Sequence, residues 1–251
     1  MKILVTFAVS TEFAAWRRQH DFREVTREPY PLYAAEIGDS TVRVLLTGIG
    51  TGAAALASRW ALESPADLCI SSGFAGGLAS DLRVGDLLAA RVVHRAEKEL
   101  AVAGDRELLI AASDAGARRV ERFLTSERVV SSIEEKAVLA ESVDAVEMES
   151  FVILAEAARR GVRAVAVRAV SDTLEAPLPY DFDRACDSRG RIRMGALAMR
   201  VLRNPRHLPG LLRLAKDCRL ASERLAIFLN EYVDVLQVRL DVSHSEAFAA
   251  Q

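Results

Sequence analysis

Apolar runs of strand length alternate with apolar-periodic helical stretches along most of this chain. Ile3 to Val9 is such a run. Glu12 to Gln19 follows as a short helix with Phe13 and Trp16 at i and i+3. Pro29 and Pro31 mark a loop. Tyr33 to Ile37 and Val42 to Leu46 are strands around Gly38-Asp39-Ser40-Thr41, a hairpin signal. The alanine-rich stretch from Ala53 to Glu63 predicts a helix that packs closely on its neighbours. Leu68 to Ser71 and Leu87 to Val93 are buried strands, Glu107 to Ala117 a helix and Val120 to Leu124 a strand. Ser132 to Leu139 is a short helix opened by the capping box Ser132 to Glu135.

The stretch from Val143 to Glu175 is the most informative. It predicts a buried strand (Ala145-Val146), an acidic cluster (Glu147-Met148-Glu149), a helix (Ser150 to Arg160) and a second strand (Ala164 to Val170) ending in Ser171-Asp172. Glu149 and Asp172 thus stand just past the carboxyl ends of two successive strands joined by one helix. In an open α/β sheet that rim is where ligands bind. Beyond it, Ala176 to Asp183 is a proline-rich loop long enough to cover a site. Helices follow at about Arg193 to Leu202, Leu208 to Lys216 and Leu220 to Val235. Strands first alternate with helices and a helical tail then packs on the outside. That order predicts one α/β domain over residues 1–239, helical from about 190, with residues 240–251 frayed.

Composition narrows the class. A hydrophobic fraction of 51% with few aromatics suits a sheet covered by helices on both faces. A net charge of -2 offers no global field for nucleic acid or an anionic membrane. Cys69, Cys186 and Cys218 are an odd, widely spaced set, which argues for a reducing cytoplasm and against a disulfide framework or zinc site. His94 and His207 stand alone without metal-ligand spacing. No segment approaches the roughly 20 apolar residues of a membrane span, and the first apolar run is too short for a signal peptide. A soluble cytoplasmic protein without metal or organic cofactor is expected.

Gly48-Ile49-Gly50-Thr51-Gly52 follows a strand and opens a helix, as a dinucleotide fingerprint would. No acidic residue ends a second strand about 20 residues on, where Ser71-Ser72-Gly73 stand instead, so a Rossmann dehydrogenase is disfavoured. These glycines better serve close approach of backbone NH groups to a ligand.

The motifs Val146-Glu147-Met148-Glu149-Ser150 and Val167-Arg168-Ala169-Val170-Ser171-Asp172 resemble the nucleoside phosphorylase and nucleosidase family. The pattern is similar to methylthioadenosine/adenosylhomocysteine nucleosidases and hopanoid-associated phosphorylases. Three further matches occur in order: the first strand with Glu12 beyond it, Thr47-Gly48-Ile49-Gly50, and Ser72 to Gly77 followed by Val84-Gly85-Asp86. Together they cover roughly residues 1 to 175. The resemblance implies a three-layer α/β/α sandwich on a central mixed sheet, a homodimer, and cleavage of a purine nucleoside's N-glycosidic bond, with adenine as the expected base.

On that resemblance Asp172, beside Ser171, protonates the purine N7 as the bond breaks, held partly protonated by burial; without it, Ser171-Asp172 would merely cap a turn. Glu149 accepts hydrogen bonds from the ribose hydroxyls and faces the developing sugar cation, or else complements a helix dipole. Met148 walls the sugar and Glu147 lies beside the same ribose. Gly50, Phe74, Ala75 and Gly76 bring backbone to the substrate, and Val130 stands in the base pocket where the family has an aromatic. Phe74 departs from the small polar residue of the best-studied nucleosidases. Glu12 matches the general base that activates water in hydrolytic members, its alternative being a surface glutamate that opens the first helix. The loop Ala8 to Glu12 lacks the arginine and glycine that hold phosphate in phosphorolytic relatives, which favours hydrolysis. The alternatives are a phosphate-dependent phosphorylase of the hopanoid-associated type and a nucleoside-binding protein without turnover. Arg200, Arg203, Arg206, Arg213, Lys216 and Arg219 interleave with leucines. This pattern fits either solvated helix faces or contact with an anionic membrane surface.

Overall fold

The computed structural model describes residues 1–95, 100–176 and 208–249, with side chains as far as Arg239. In chain order the elements are β1 (Lys2–Phe7), α1 (Ser10–Arg17), β2 (Arg23–Thr26), β3 (Leu32–Ile37), β4 (Ser40–Leu46), α2 (Thr51–Ala61), β5 (Leu68–Ser71) and β6 (Phe74–Gly77). They continue as β7 (Leu87–Arg95), β8 (Leu100–Ala103), α3 (Arg106–Asp114), β9 (Arg118–Thr125), α4 (Ile133–Ala140) and β10 (Ala145–Glu147). The last are α5 (Ser150–Arg159), β11 (Arg163–Asp172) and α6 (Leu208–Ala249). The strands form one mixed sheet in the order β2-β3-β4-β1-β5-β11-β6-β10-β9-β7-β8.

Strand β1 shows how the sequence builds the layers. Successive side chains of a strand point to opposite faces. Ile3, Val5 and Phe7 join Phe13, Trp16, Leu225 and Leu229 in a core under α1, α3 and α6. Leu4 points the other way, into a core with Ala54 and Ala57 of α2 and Ile153 and Leu154 of α5. The expected α/β/α sandwich is therefore present, and the alanines let α2 lie close to the sheet.

Strand β11 is the pivot. Its first residues, Arg163 to Ala166, pair parallel with β5, Ala166 to Ala169 pair antiparallel with β7, and Ala169 to Asp172 pair parallel with β6. Because β6 pairs with β10, β10 with β9 and β9 with β7, five strands close into a ring around the end of β11. That closure leaves Ser171 and Asp172 at its rim.

Three strands escaped the sequence pattern. β2 is mostly polar and exposed, β6 is half glycine, and β8 is a short, largely exposed edge strand. The tail differs too. Where two helices and a frayed end from Leu240 were expected, one helix runs from Leu208 to Ala249. Neither glycine nor proline falls at the expected break, and the i,i+4 pairs Arg213–Asp217 at 3.8 Å and Arg219–Glu223 at 3.0 Å bridge it. Nor is this helix an outer appendage. It buries Leu225, Phe228, Leu229, Tyr232, Val233 and Leu236, and Tyr232 Oη donates to the Leu108 carbonyl at 2.8 Å. The proline-rich loop from Pro177 onward, the helix expected at Arg193 to Leu202, and Arg200, Arg203 and Arg206 lie outside the described residues.

If α6 is a structural layer, Leu229→Ala should cost about 2–5 kcal/mol of unfolding free energy. Ile227→Ala, on the exposed side of the same helix, should stay within about 0.5 kcal/mol. Urea denaturation of the two variants checks both.

Candidate active site

A cleft of about 220 Å³ opens where β1, β6, β10 and β11 end. Glu12, Glu147, Met148, Glu149, Ser171 and Asp172 all line it, as do Phe74, Ala75, Gly76 and Val130. Glu12 and Asp172, 160 positions apart in sequence, thus meet in one cavity. Of the residues singled out from sequence, only Gly50 is not on its wall. Its backbone NH instead donates to Glu149 Oε1 at 2.9 Å and so aims that carboxylate.

At the floor lies Arg168, 1% exposed. Its Nη2 is 2.6 Å from Glu147 Oε2 and 3.4 Å from Glu149 Oε2, and it also donates to Ser150 Oγ at 2.9 Å. Glu147 is saturated by protein. One of its oxygens accepts from Thr125 Oγ1, and the other accepts from the NH groups of Glu149 at 2.9 Å and Ser150 at 2.7 Å besides Arg168. It therefore caps α5 and orients Arg168. Glu149 stands at the N-terminus of α5, where its charge would complement the helix dipole, while the hydrogen bonds to the first NH groups come from Glu147. Glu149 itself makes no capping bond and keeps its carboxylate on the cleft.

Burial pushes the Glu149 carboxyl up to about 7, with Arg168 opposing and the charges of Glu147 and Glu12 adding to the rise. Burial likewise raises Glu12, again against Arg168 and three backbone NH groups. Those NH groups explain its placement. Glu12 is the third residue of α1, and its Oε2 reaches back to Ala8 N at 2.8 Å and Val9 N at 3.1 Å. Its Oε1 accepts from Phe74 N at 2.8 Å. Glu12 opens the first helix, but it does so from a buried position, 5% exposed, facing the cleft. Gly73 makes room for this contact. A Cβ there would lie 2.5 Å from Arg168 Nη1 and 2.7 Å from Glu12 Oε1, and its φ of +141° disfavours any side chain.

Asp172 differs from expectation. It is 8% exposed, but it is not a solitary buried acid. Lys136 of α4, fully buried, places its Nζ 2.5 Å from Asp172 Oδ2, and Ser171 Oγ donates to Asp172 Oδ1 at 2.8 Å. The carboxylate is an ion-pair partner as well as a buried group. A side chain at residue 76 would crowd it, since a Cβ on Gly76 would sit 3.1 Å from Asp172 Oδ2.

Arg168, Lys136 and Leu214 were not singled out from sequence. Arg168 carried a signal: a lone charge inside the apolar run Ala164 to Val170 must find a buried partner. Lys136 had none, because its burial depends on how α4 docks. Leu214 lines the cleft because α6 starts beside it, against expectation for a tail packed outside. Among the described residues no group of three or more His, Cys, Asp or Glu is placed to hold a metal ion.

The family model of the phosphorylase superfamily matches residues 2–203, and the chain belongs to that family. Solved structures carry the same fold. The 5′-methylthioadenosine/S-adenosylhomocysteine nucleosidase of Neisseria meningitidis, in complex with methylthio-immucillin-A, superposes with a TM-score of 0.71 at 22% identity, over 92% of this chain and 98% of that one. The futalosine hydrolase of Helicobacter pylori gives 0.69 at 18% identity, over 93% and 99%. The corresponding nucleosidase of Colwellia psychrerythraea, in complex with adenine, gives 0.71 at 19%, over 94% and 96%.

The raised Glu149 carboxyl has a thermodynamic consequence. The folded state holds a proton there that the unfolded chain releases near pH 4.5, so this contribution is complete below that pH and is lost as pH rises toward 7. Relative to Glu149→Gln, the native protein should lose stability between those limits by on the order of 1 kcal/mol per pH unit. Urea denaturation at pH 5 and pH 7 measures the difference.

Proposed function

We propose that this protein cleaves the N-glycosidic bond of a purine nucleoside, with adenine as base and water as nucleophile. The observation that carries the reading is the arrangement of three carboxylates, Glu12, Glu149 and Asp172, on the walls of one cleft, the first two beside Arg168 and the third paired with Lys136. Asp172 delivers the proton to the departing base. Glu149 accepts from the ribose hydroxyls and sets negative charge beside the sugar cation, where electrostatic stabilisation is worth most. Glu12, raised by burial, is a stronger base than an exposed carboxylate and takes the proton from water. Met148 and Phe74 supply apolar wall, and Val130 with Val129 lines the side nearest α4.

Water is favoured over phosphate by charge. Arg168 is committed to Glu147 and Glu149, and the loop before α1 offers no arginine. A phosphate dianion beside Glu12 would meet repulsion in a medium of low dielectric.

The same reading includes assembly and place. α2 leaves Leu56 59% exposed, with Ala53 and Trp60 partly so, an apolar face suited to a second copy of the chain. Exposed Leu208 and Leu212 beside Arg213 fit a solvated helix face better than contact with an anionic membrane surface. Among the described residues no helix is long and apolar enough to cross a membrane. The three widely spaced cysteines suit a reducing compartment, and we propose the cytoplasm.

Incubation with a panel of adenine nucleosides in phosphate-free buffer should release adenine and free sugar. Sugar 1-phosphate, formed only when phosphate is added, would establish the phosphorylase alternative, and tight binding without turnover the binding protein. Glu12→Gln and Asp172→Asn should each lower kcat by about 100-fold or more, the scale of general acid–base catalysis. Circular dichroism should show both variants folded.

A further inference from the structure

Lys136 is the one fully buried lysine among the described residues, and the reaction outlined above gives it no task. A buried ammonium loses its hydration, at a cost of several kcal/mol, unless every N–H finds an acceptor. Here all three do: Asp172 Oδ2 at 2.5 Å, the Thr173 carbonyl at 2.9 Å and the Ala176 carbonyl at 2.9 Å. Two of these acceptors are neutral carbonyls, so the site is built around the cation and does not merely neutralise a stray carboxylate. Lys136 does not line the cleft; Asp172 does. The lysine can reach a ligand only through that carboxyl.

We propose that Lys136 is the proton reserve of Asp172, a positioning residue that supplies the proton which Asp172 passes to the leaving base. This rests on the glycosidic reading above. An Asp172 carboxylate paired with an ammonium has no proton of its own to give. As the C–N bond breaks, its electron pair moves onto the base. A Lys136 N–H bond breaks and an O–H bond forms on Asp172, whose proton then bonds the purine nitrogen. Water attacking the sugar gives its proton to Glu12. Lys136 ends one proton short and Glu12 one proton richer, and exchange with solvent after product release restores both. Nucleoside and water have become sugar and neutral base, so the step balances without another reactant.

The charged and titratable groups around the pair are Glu12, Glu147 and Glu149 with Arg168 at the floor, and Arg128, paired with Glu135, at the α4 side. Cys218 of α6 also faces it; burial first, then the charges of Asp172 and Glu12, push that thiol up to about 12, so it does not titrate in the working range.

The test compares the native enzyme with Lys136→Met across pH. The ion pair holds a proton within the protein, whereas a carboxyl without one depends on solvent, whose supply falls about tenfold per pH unit. The ratio of native to variant kcat should therefore grow about tenfold per unit between pH 6 and pH 8, with KM little changed. A ratio constant with pH, however large, would mean that the lysine only holds structure and would overturn the proposal. Should Lys136→Met not fold, infrared difference spectra of the native protein against Asp172→Asn decide. A carboxylate band at pH 6 supports the proposal and a protonated carboxyl band overturns it. That measurement needs no turnover, so failure of the glycosidic reading, seen as no cleavage of any nucleoside by the native protein, stays distinguishable.

Discussion

The buried guanidinium of Arg168 is the interaction on which the rest of the site depends. Removing such a cation from water is tolerable only when charge and hydrogen bonds replace its hydration. Glu147 and Glu149 supply the charge, and Ser150, Ser71 and the Phe74 carbonyl supply further acceptors. These groups belong to the ends of β5, β6 and β10 and the start of α5, so one side chain on β11 ties four other segments together. The glycine at 73 follows from the same constraint, since any Cβ there would meet both Arg168 and Glu12. Packing, register and chemistry share a single origin.

Much of this arrangement was legible in the sequence. Two strands ending in Glu147-Met148-Glu149 and Ser171-Asp172 define a rim by their length and polarity alone, and the apolar run of Ile3 to Val9 with the high hydrophobic fraction suits a sheet covered on both faces. What stayed hidden shares one cause. The pairing of Lys136 with Asp172, the use of Gly50 to aim Glu149, and the arrival of Leu214 at the cleft are all contacts between segments distant in sequence. No local pattern encodes them. Strand β6 was missed for a related reason: Phe-Ala-Gly-Gly lacks strand propensity, and it is β10 and β11 on either side that hold it extended. Glu147 lies on the cleft as expected, but the donors that hold it, Thr125, Arg168 and two backbone NH groups, come from the fold and not from any local pattern.

Charge is distributed unequally along the cleft. At the floor three carboxylates, Glu12, Glu147 and Glu149, surround one guanidinium, leaving an excess of negative charge where Arg168 cannot neutralise it. Burial first, and the charges of Glu147 and Glu12 after it, displace the Glu149 carboxyl up to about 7 against the pull of Arg168. At the α4 side Asp172 is matched by one ammonium and two carbonyls. A ligand spanning the cleft therefore meets an electron-rich end that favours a developing cation and an end that holds a transferable proton. Heterolysis of a bond between sugar and base generates those two demands, a cation on one fragment and an electron pair on the other. Binding a neutral nucleoside alone would need neither a strained cluster of buried carboxylates nor a desolvated lysine behind one of them. Each is costly to stability, and a cost of that kind, set on opposite sides of one small cavity, is the expected mark of catalysis rather than of recognition.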